Sequence, residues 1–78
     1  MFLGWYDPDK KKPARAKLAA AIDRYEEKFG RVPRFCLTSA QDAHELAQPT
    51  LEHPDVPVEV HARGYIARYT MYIGEEGA

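Results

Sequence analysis

Three histidines, His44, His53 and His61, fall nine and eight residues apart, with Cys36, Asp42, Glu45 and Asp55 near them in the chain. Imidazole, thiolate and carboxylate are the ligands of a zinc site, and three histidines with one open position would make a catalytic one. The spacing fits no metal signature, however. His44 falls on a short helix, His53 in a loop and His61 on the polar side of a strand. They read as surface histidines, and no metal is expected. Cys36 beside a histidine could form a nucleophile and base. It sits inside Phe35-Cys36-Leu37, where a thiol serves as a small buried hydrophobe, and the residues that follow are acidic rather than activating. The carboxylate pairs Glu26/Glu27, Asp42/Glu45 and Glu75/Glu76 lack the apolar setting that acid–base catalysis needs. The five glycines stand singly, so no loop cradles a phosphate. No catalytic residue and no cofactor is expected.

Two constellations suit binding better. Lys10, Lys11, Lys12, Arg15 and Lys17 crowd the start of a helix just after Trp5 and Tyr6. Cations neutralise phosphates and aromatic rings stack on bases, so this is the candidate nucleic-acid surface. The second is aromatic. Nine Phe, Trp and Tyr residues in 78 are more than one sheet face and one helix can hide. Trp5, Tyr6, Tyr65 and Tyr72 are the expected anchors of a protein interface, with Arg63 and Arg68 as polar partners on the face of Tyr72.

The elements that must position these groups follow from pattern. Met1 to Tyr6 reads as a strand, and Asp7-Pro8-Asp9 as a turn. Residues 13–29 form the strongest helix. Pro13 suits its first turn, and Ala14, Leu18, Ala21, Ile22, Tyr25 and Phe29 make one apolar stripe. Gly30 stops it in the left-handed region. The basic residues at its start oppose the helix dipole, which prefers acids there. Phe35 to Thr38 reads as a buried strand. Ser39, with Asp42 three residues on, caps a short helix over Ala40 to Ala47, with Ala43, Leu46 and Ala47 inward. Gln48 to Asp55 reads as a loop.

The last third alternates with period two. Val56, Val58, Val60 and Ala62 share one side of a strand. After Gly64, Tyr69, Met71 and Ile73 share one side of another, with Arg68, Thr70 and Tyr72 opposite. The pattern predicts a C-terminal antiparallel β-hairpin whose second strand, Tyr65 to Ile73, offers an unpaired edge. Residues 74–78 read as a polar tail.

The expected fold is α+β: a single small domain over residues 1–78, in the order β-α-β-α-β-β. A three- or four-stranded mixed sheet is covered on one face by helix 13–29. One cysteine rules out a disulfide scaffold and suits a reducing compartment. No leader or membrane segment is read, so a cytoplasmic setting is expected. Net charge is −1, yet residues 1–34 carry nine Lys/Arg against five acids, and residues 35–60 carry five acids and no Lys/Arg. The function this favours is a non-enzymatic interaction or assembly module. It would act through an aromatic sheet face or a strand edge, with itself or another protein as partner. A nucleic-acid accessory protein is the alternative, a histidine-based metalloprotein or enzyme the third reading.

Overall fold

The computed structural model describes residues 2–48 and 58–75. Among the described residues six elements follow one another: β1 (Phe2–Tyr6), α1 (Ala14–Phe29), β2 (Phe35–Thr38), α2 (Ala40–Ala47), β3 (Glu59–Ala62) and β4 (Thr70–Gly74). The four strands form one mixed sheet in the order β1-β4-β2-β3. β4 is antiparallel to both β1 and β2, and β3 is parallel to β2. The α+β class, the element order and the mixed sheet are those the sequence predicts.

Local chemistry sets the element ends. Pro13 precedes α1 in an extended conformation, and Gly30 ends it at φ 68°, its N–H donating to the Glu26 carbonyl. Ser39 caps α2 by accepting from the Asp42 N–H, while its hydroxyl donates to the Asp42 carboxylate. Both crossovers, β1-α1-β2 and β2-α2-β3, join parallel strands and advance across the sheet in the same direction. A shared right hand then places both helices on one face. Their stripes meet the inward side of the sheet there. Ala14, Leu18, Ala21, Ile22 and Tyr25 of α1 and Leu46 of α2 pack with Cys36, Met71 and Ile73, and Leu3, Trp5 and Val60 join them.

The two helices also complete one another's ends. The Ala14 N–H at the start of α1 donates to the Glu45 carboxylate of α2. Arg15 of α1 donates to the carbonyls of Leu46 and Gln48, at 3.1 and 2.6 Å, where α2 ends. An acid thus meets the positive end of one dipole and a cation the negative end of the other. The acid that the start of α1 lacks in its own sequence comes from 31 residues away.

The expected hairpin does not form. β3 and β4 are separated in the sheet by β2. The segment between them, Arg63 to Tyr69, carries no tight two-residue turn. It makes two successive turns instead, closed by the Ile66 N–H on the Arg63 carbonyl and the Thr70 N–H on the Ala67 carbonyl. It thereby crosses the end of β2, two strand spacings or roughly 10 Å. Asp42 fixes the landing. Its carboxylate, on a residue only 2% exposed, accepts from the Tyr69 N–H at 2.7 Å and from the Ser39 hydroxyl, with the Arg68 guanidinium 3.5 Å away. Tyr69 takes up φ 69°, a left-handed conformation costly for a β-branched-free but bulky side chain. It is therefore a turn residue rather than a strand partner of Met71 and Ile73. β4 lies inside the sheet, so the predicted free edge at Tyr65 to Ile73 is lost, and among the described strands the edges are β1 and β3.

Smaller corrections follow. Ala47 is exposed rather than inward, and Gly74 belongs to β4 rather than to a tail. Val56, His53, Asp55, most of the loop from Gln48 and the end of the tail lie outside the described residues.

Removing the Asp42 carboxylate leaves the Tyr69 N–H and the Ser39 hydroxyl without their acceptor. Asp42→Ala is expected to cost about 2–4 kcal/mol in urea unfolding. Asp23→Ala, on the exposed side of α1, is expected to cost less than about 0.5 kcal/mol.

Candidate functional site

Period-two alternation divides the sheet residues between two faces. Leu3, Trp5, Cys36, Thr38, Val60, Met71 and Ile73 point at the helices. The registers align Gly4, Tyr72, Leu37 and His61 across the opposite face, and Phe2, Gly74, Phe35 and Glu59 in the next row. No helix of the described chain covers that face. It is strongly apolar, and the hydrophobic side chains exposed on or beside it are large: Phe2 is 38% exposed, Tyr72 41%, Tyr6 65% and Tyr65 80%.

A groove of about 260 Å³ runs across this face, lined by Phe2, Leu37, Tyr65, Ile66 and Tyr72. Its making is local. Gly4 leaves the Tyr72 ring room to lie over β1, since a Cβ there would stand 3.2 Å from Tyr72 Cε1. The crossing segment turns Ile66 onto the sheet, where it is 8% exposed. Phe35 and His61 continue the surface, their ring centroids 6.0 Å apart. The volume falls below the ~300–1,000 Å³ of small-molecule sites, and no carboxylate, imidazole, amine or guanidinium lines the groove. Its lining suits an apolar group.

The expected interface residues are not all here. Tyr72 lies on the bare face, and Tyr65 lines its groove. Tyr6 shares the outward side of β1 with Phe2 and Gly4. Trp5 does not, because consecutive strand residues cannot share a face. It is half-buried against the core, and its indole Nε1 is buried without an acceptor among the described residues. Arg68 is also misplaced. It reaches toward the helices, 3.5 Å from Asp42 and 3.8 Å from Glu45, with its guanidinium 5.0 Å from the Tyr69 ring centroid. Arg63 is exposed at the end of β3, its guanidinium donating to the Ala62 carbonyl. Phe2, Leu37 and Ile66 went unpredicted. Strand parity marks the first two, because they alternate with Leu3 and Cys36. Ile66 had no signal, since its place depends on how the segment crosses β2.

The basic cluster at the start of α1 is not one surface. Lys17 is 2% exposed, and its ammonium sits 3.8 Å from the Tyr69 ring centroid. The π face meets the charge in place of a carboxylate. Arg15 is committed to the α2 carbonyls. Lys12 pairs with Asp7 at 3.4 Å. The hydrogen bond donated by the Asp9 N–H to the Asp7 carboxylate, helped by that pairing, holds the Asp7 carboxyl below its ordinary range. Lys10 and Lys11 remain as exposed side chains. Two of the five basic residues do not make a phosphate-tracking patch.

The chemistry-bearing residues are likewise dispersed. His44 bonds with Gln48 on α2, and His61 lies 3.6 Å from Glu59 on the outer face. His53 lies outside the described residues. Among the described residues no group of His, Cys, Asp and Glu converges as a metal site, and no helix is long and apolar enough to cross a membrane. Cys36 is fully buried, and burial, with the Asp42 charge behind it, pushes its thiol up to about 12. It is a packing group. No family model, curated protein or solved structure matches the chain.

Cys36 gives a pH test. Its proton is kept by the fold and lost more readily by the unfolded chain, so its contribution is whole below pH 9.0 and declines as pH rises toward about 12. Stability is expected to fall across that window, and the fall is expected to be smaller in Cys36→Ala. Alkylation of native Cys36 at pH 8 is expected to be at least about 100-fold slower than in urea, followed by mass.

Proposed function

We propose that this chain is a small non-enzymatic interaction module that engages a protein, either another copy or a different subunit, through the bare face of its sheet. The observation that carries this reading is the apolar groove of Phe2, Leu37, Tyr65, Ile66 and Tyr72 on the side without helices. Soluble monomers seldom leave a contiguous aromatic surface open, and such patches mark interaction sites. Tyrosine suits the role, with a large apolar ring and a hydroxyl that tolerates water. A domain of this size also gains stability from association, because its own core is small. The single buried thiol fits a reducing, cytoplasmic setting.

The rim of the face supports protein over nucleic acid. Glu59 and His61 stand on it, and Arg15 and Lys17 at the start of α1 are turned to internal work. Trp5 is part of the core, so Trp5→Ala is an unfolding variant, expected to cost about 3 kcal/mol or more, and not a probe of the interface.

The test is native mass spectrometry and sedimentation of untagged protein, followed by Tyr65→Ser and Tyr72→Ser. Both side chains are well exposed, so each variant is expected to keep its urea midpoint within about 1 kcal/mol of stability. Together they are expected to weaken association at least about tenfold, or about 1.4 kcal/mol. Association that survives both substitutions unchanged would exclude the groove as the contact.

A further inference from the structure

The two sheet edges are built differently. β3 is four residues long, with Glu59 and His61 in it and Arg63 directly after it. Charges and short length are how natural edges avoid pairing. β1, Phe2-Leu3-Gly4-Trp5-Tyr6, has no charge and no proline, and among the described residues nothing but β4 pairs with it.

The phase of the ladder shows which backbone groups that edge presents. The Asp7 N–H donates to the Tyr69 carbonyl, and the Arg34 N–H donates to the Gly74 carbonyl. In an antiparallel pair, bonding direction alternates along the strand. Asp7, Trp5 and Leu3 therefore turn their backbone groups toward β4. Phe2, Gly4 and Tyr6 turn theirs away from the sheet. The Gly74 carbonyl, bonded on the β2 side, fixes the same alternation independently.

We infer that β1 pairs antiparallel with β1 of a second copy about a two-fold axis at Gly4, joining two four-stranded sheets into one. The inference goes beyond the bare face: it names a second copy as the partner and the β1 edge as the contact. Three features support it together. First, pairing about Gly4 sets Gly4 opposite Gly4 and Phe2 opposite Tyr6, so every outward-facing residue meets an outward-facing residue. Each of these pairs can exchange both backbone bonds. Second, the side chains are near-palindromic about Gly4, with an aromatic at each end and Leu3 and Trp5 between. On the outer face Phe2 of one copy lies beside Tyr6 of the other, a favoured cross-strand combination. Third, β1 brings no charge to the seam, so a self-contact there sets no like charges face to face. An isologous contact of this kind closes on itself and yields a dimer rather than a fibre. The Phe2 ends of the two grooves would flank the seam.

Residue-resolved amide exchange by NMR tests this, alongside mass by sedimentation, from about 1 µM to about 1 mM of the 78-residue chain. The expected species is a dimer at the high end, with the Gly4 and Tyr6 amides protected at least about tenfold more than in dilute protein. The Leu3 and Trp5 amides, bonded within the chain, are expected to be protected at both. Tyr6→Pro removes an outward N–H that makes no bond within the chain, as edge strands tolerate. It is expected to give a monomer that keeps the Met71 and Ile73 methyl shifts of the native core. A dimer whose Gly4 and Tyr6 amides exchange freely would overturn β1 pairing and leave the bare face as the contact. A chain that stays monomeric throughout would also overturn it. The reading of the bare face would then stand or fall separately, on whether Tyr65→Ser and Tyr72→Ser release a co-purified partner.

Discussion

The handedness of two crossovers governs this small fold. β1, β2 and β3 run parallel, and each crossover advances toward the same edge, so α1 and α2 share one side of the sheet. An α/β fold of doubly wound type reverses direction midway and covers both faces. Here nothing reverses. One face gets two helices and a core of Leu18, Ile22, Leu46, Met71 and Ile73. The other keeps Phe2, Phe35, Leu37 and Tyr72 with no second layer in the described chain. Layered domains bury every apolar face against something, and the proposed role follows from the face left over.

The last strand completes the arrangement at one costly point. β4 enters between β1 and β2, antiparallel to both, and the chain must cross the end of β2 to reach it. A buried carboxylate holds that crossing. Asp42 accepts from the Ser39 hydroxyl that caps α2 and from the Tyr69 N–H, so the same group braces a helix cap and pins the entry of β4. Tyr69 then roofs the ammonium of Lys17. The cluster explains how a buried lysine and a left-handed tyrosine persist in a domain with little stability to spare. It also explains why the basic start of α1 is a structural device: Arg15 and Glu45 trade charge between the helix ends.

Much of this was legible in single residues. Gly30 marked the end of α1, Ser39 with Asp42 marked the start of α2, and the short apolar run from Phe35 to Thr38 gave β2 with its bounds. Those signals are local, set by turn chemistry and periodicity. Strand order was not legible, because it depends on a contact between Asp42 and Tyr69, 27 residues apart. Val58 to Ala62 and Met71 to Ile73 alternate as hairpin strands would, and only the length and anchoring of the segment between them separate a hairpin from a crossing. The candidate surface was half legible. Tyr72 and Tyr65 followed from pattern. Trp5 and Tyr6 are consecutive in β1, so the strand parts them onto opposite faces, and nothing local to Lys17 marks it as buried rather than solvated.

The central claim is that the chain associates through the side of the sheet that carries no helix. Hydroxyl-radical footprinting of the associated and the dissociated protein tests it most directly. Tyr6, Tyr65 and Tyr72 are expected to lose reactivity on association, while Tyr25, buried in both states, stays protected throughout. Unchanged labelling of those three tyrosines, with protection appearing instead on the exposed side of α1, would contradict the account.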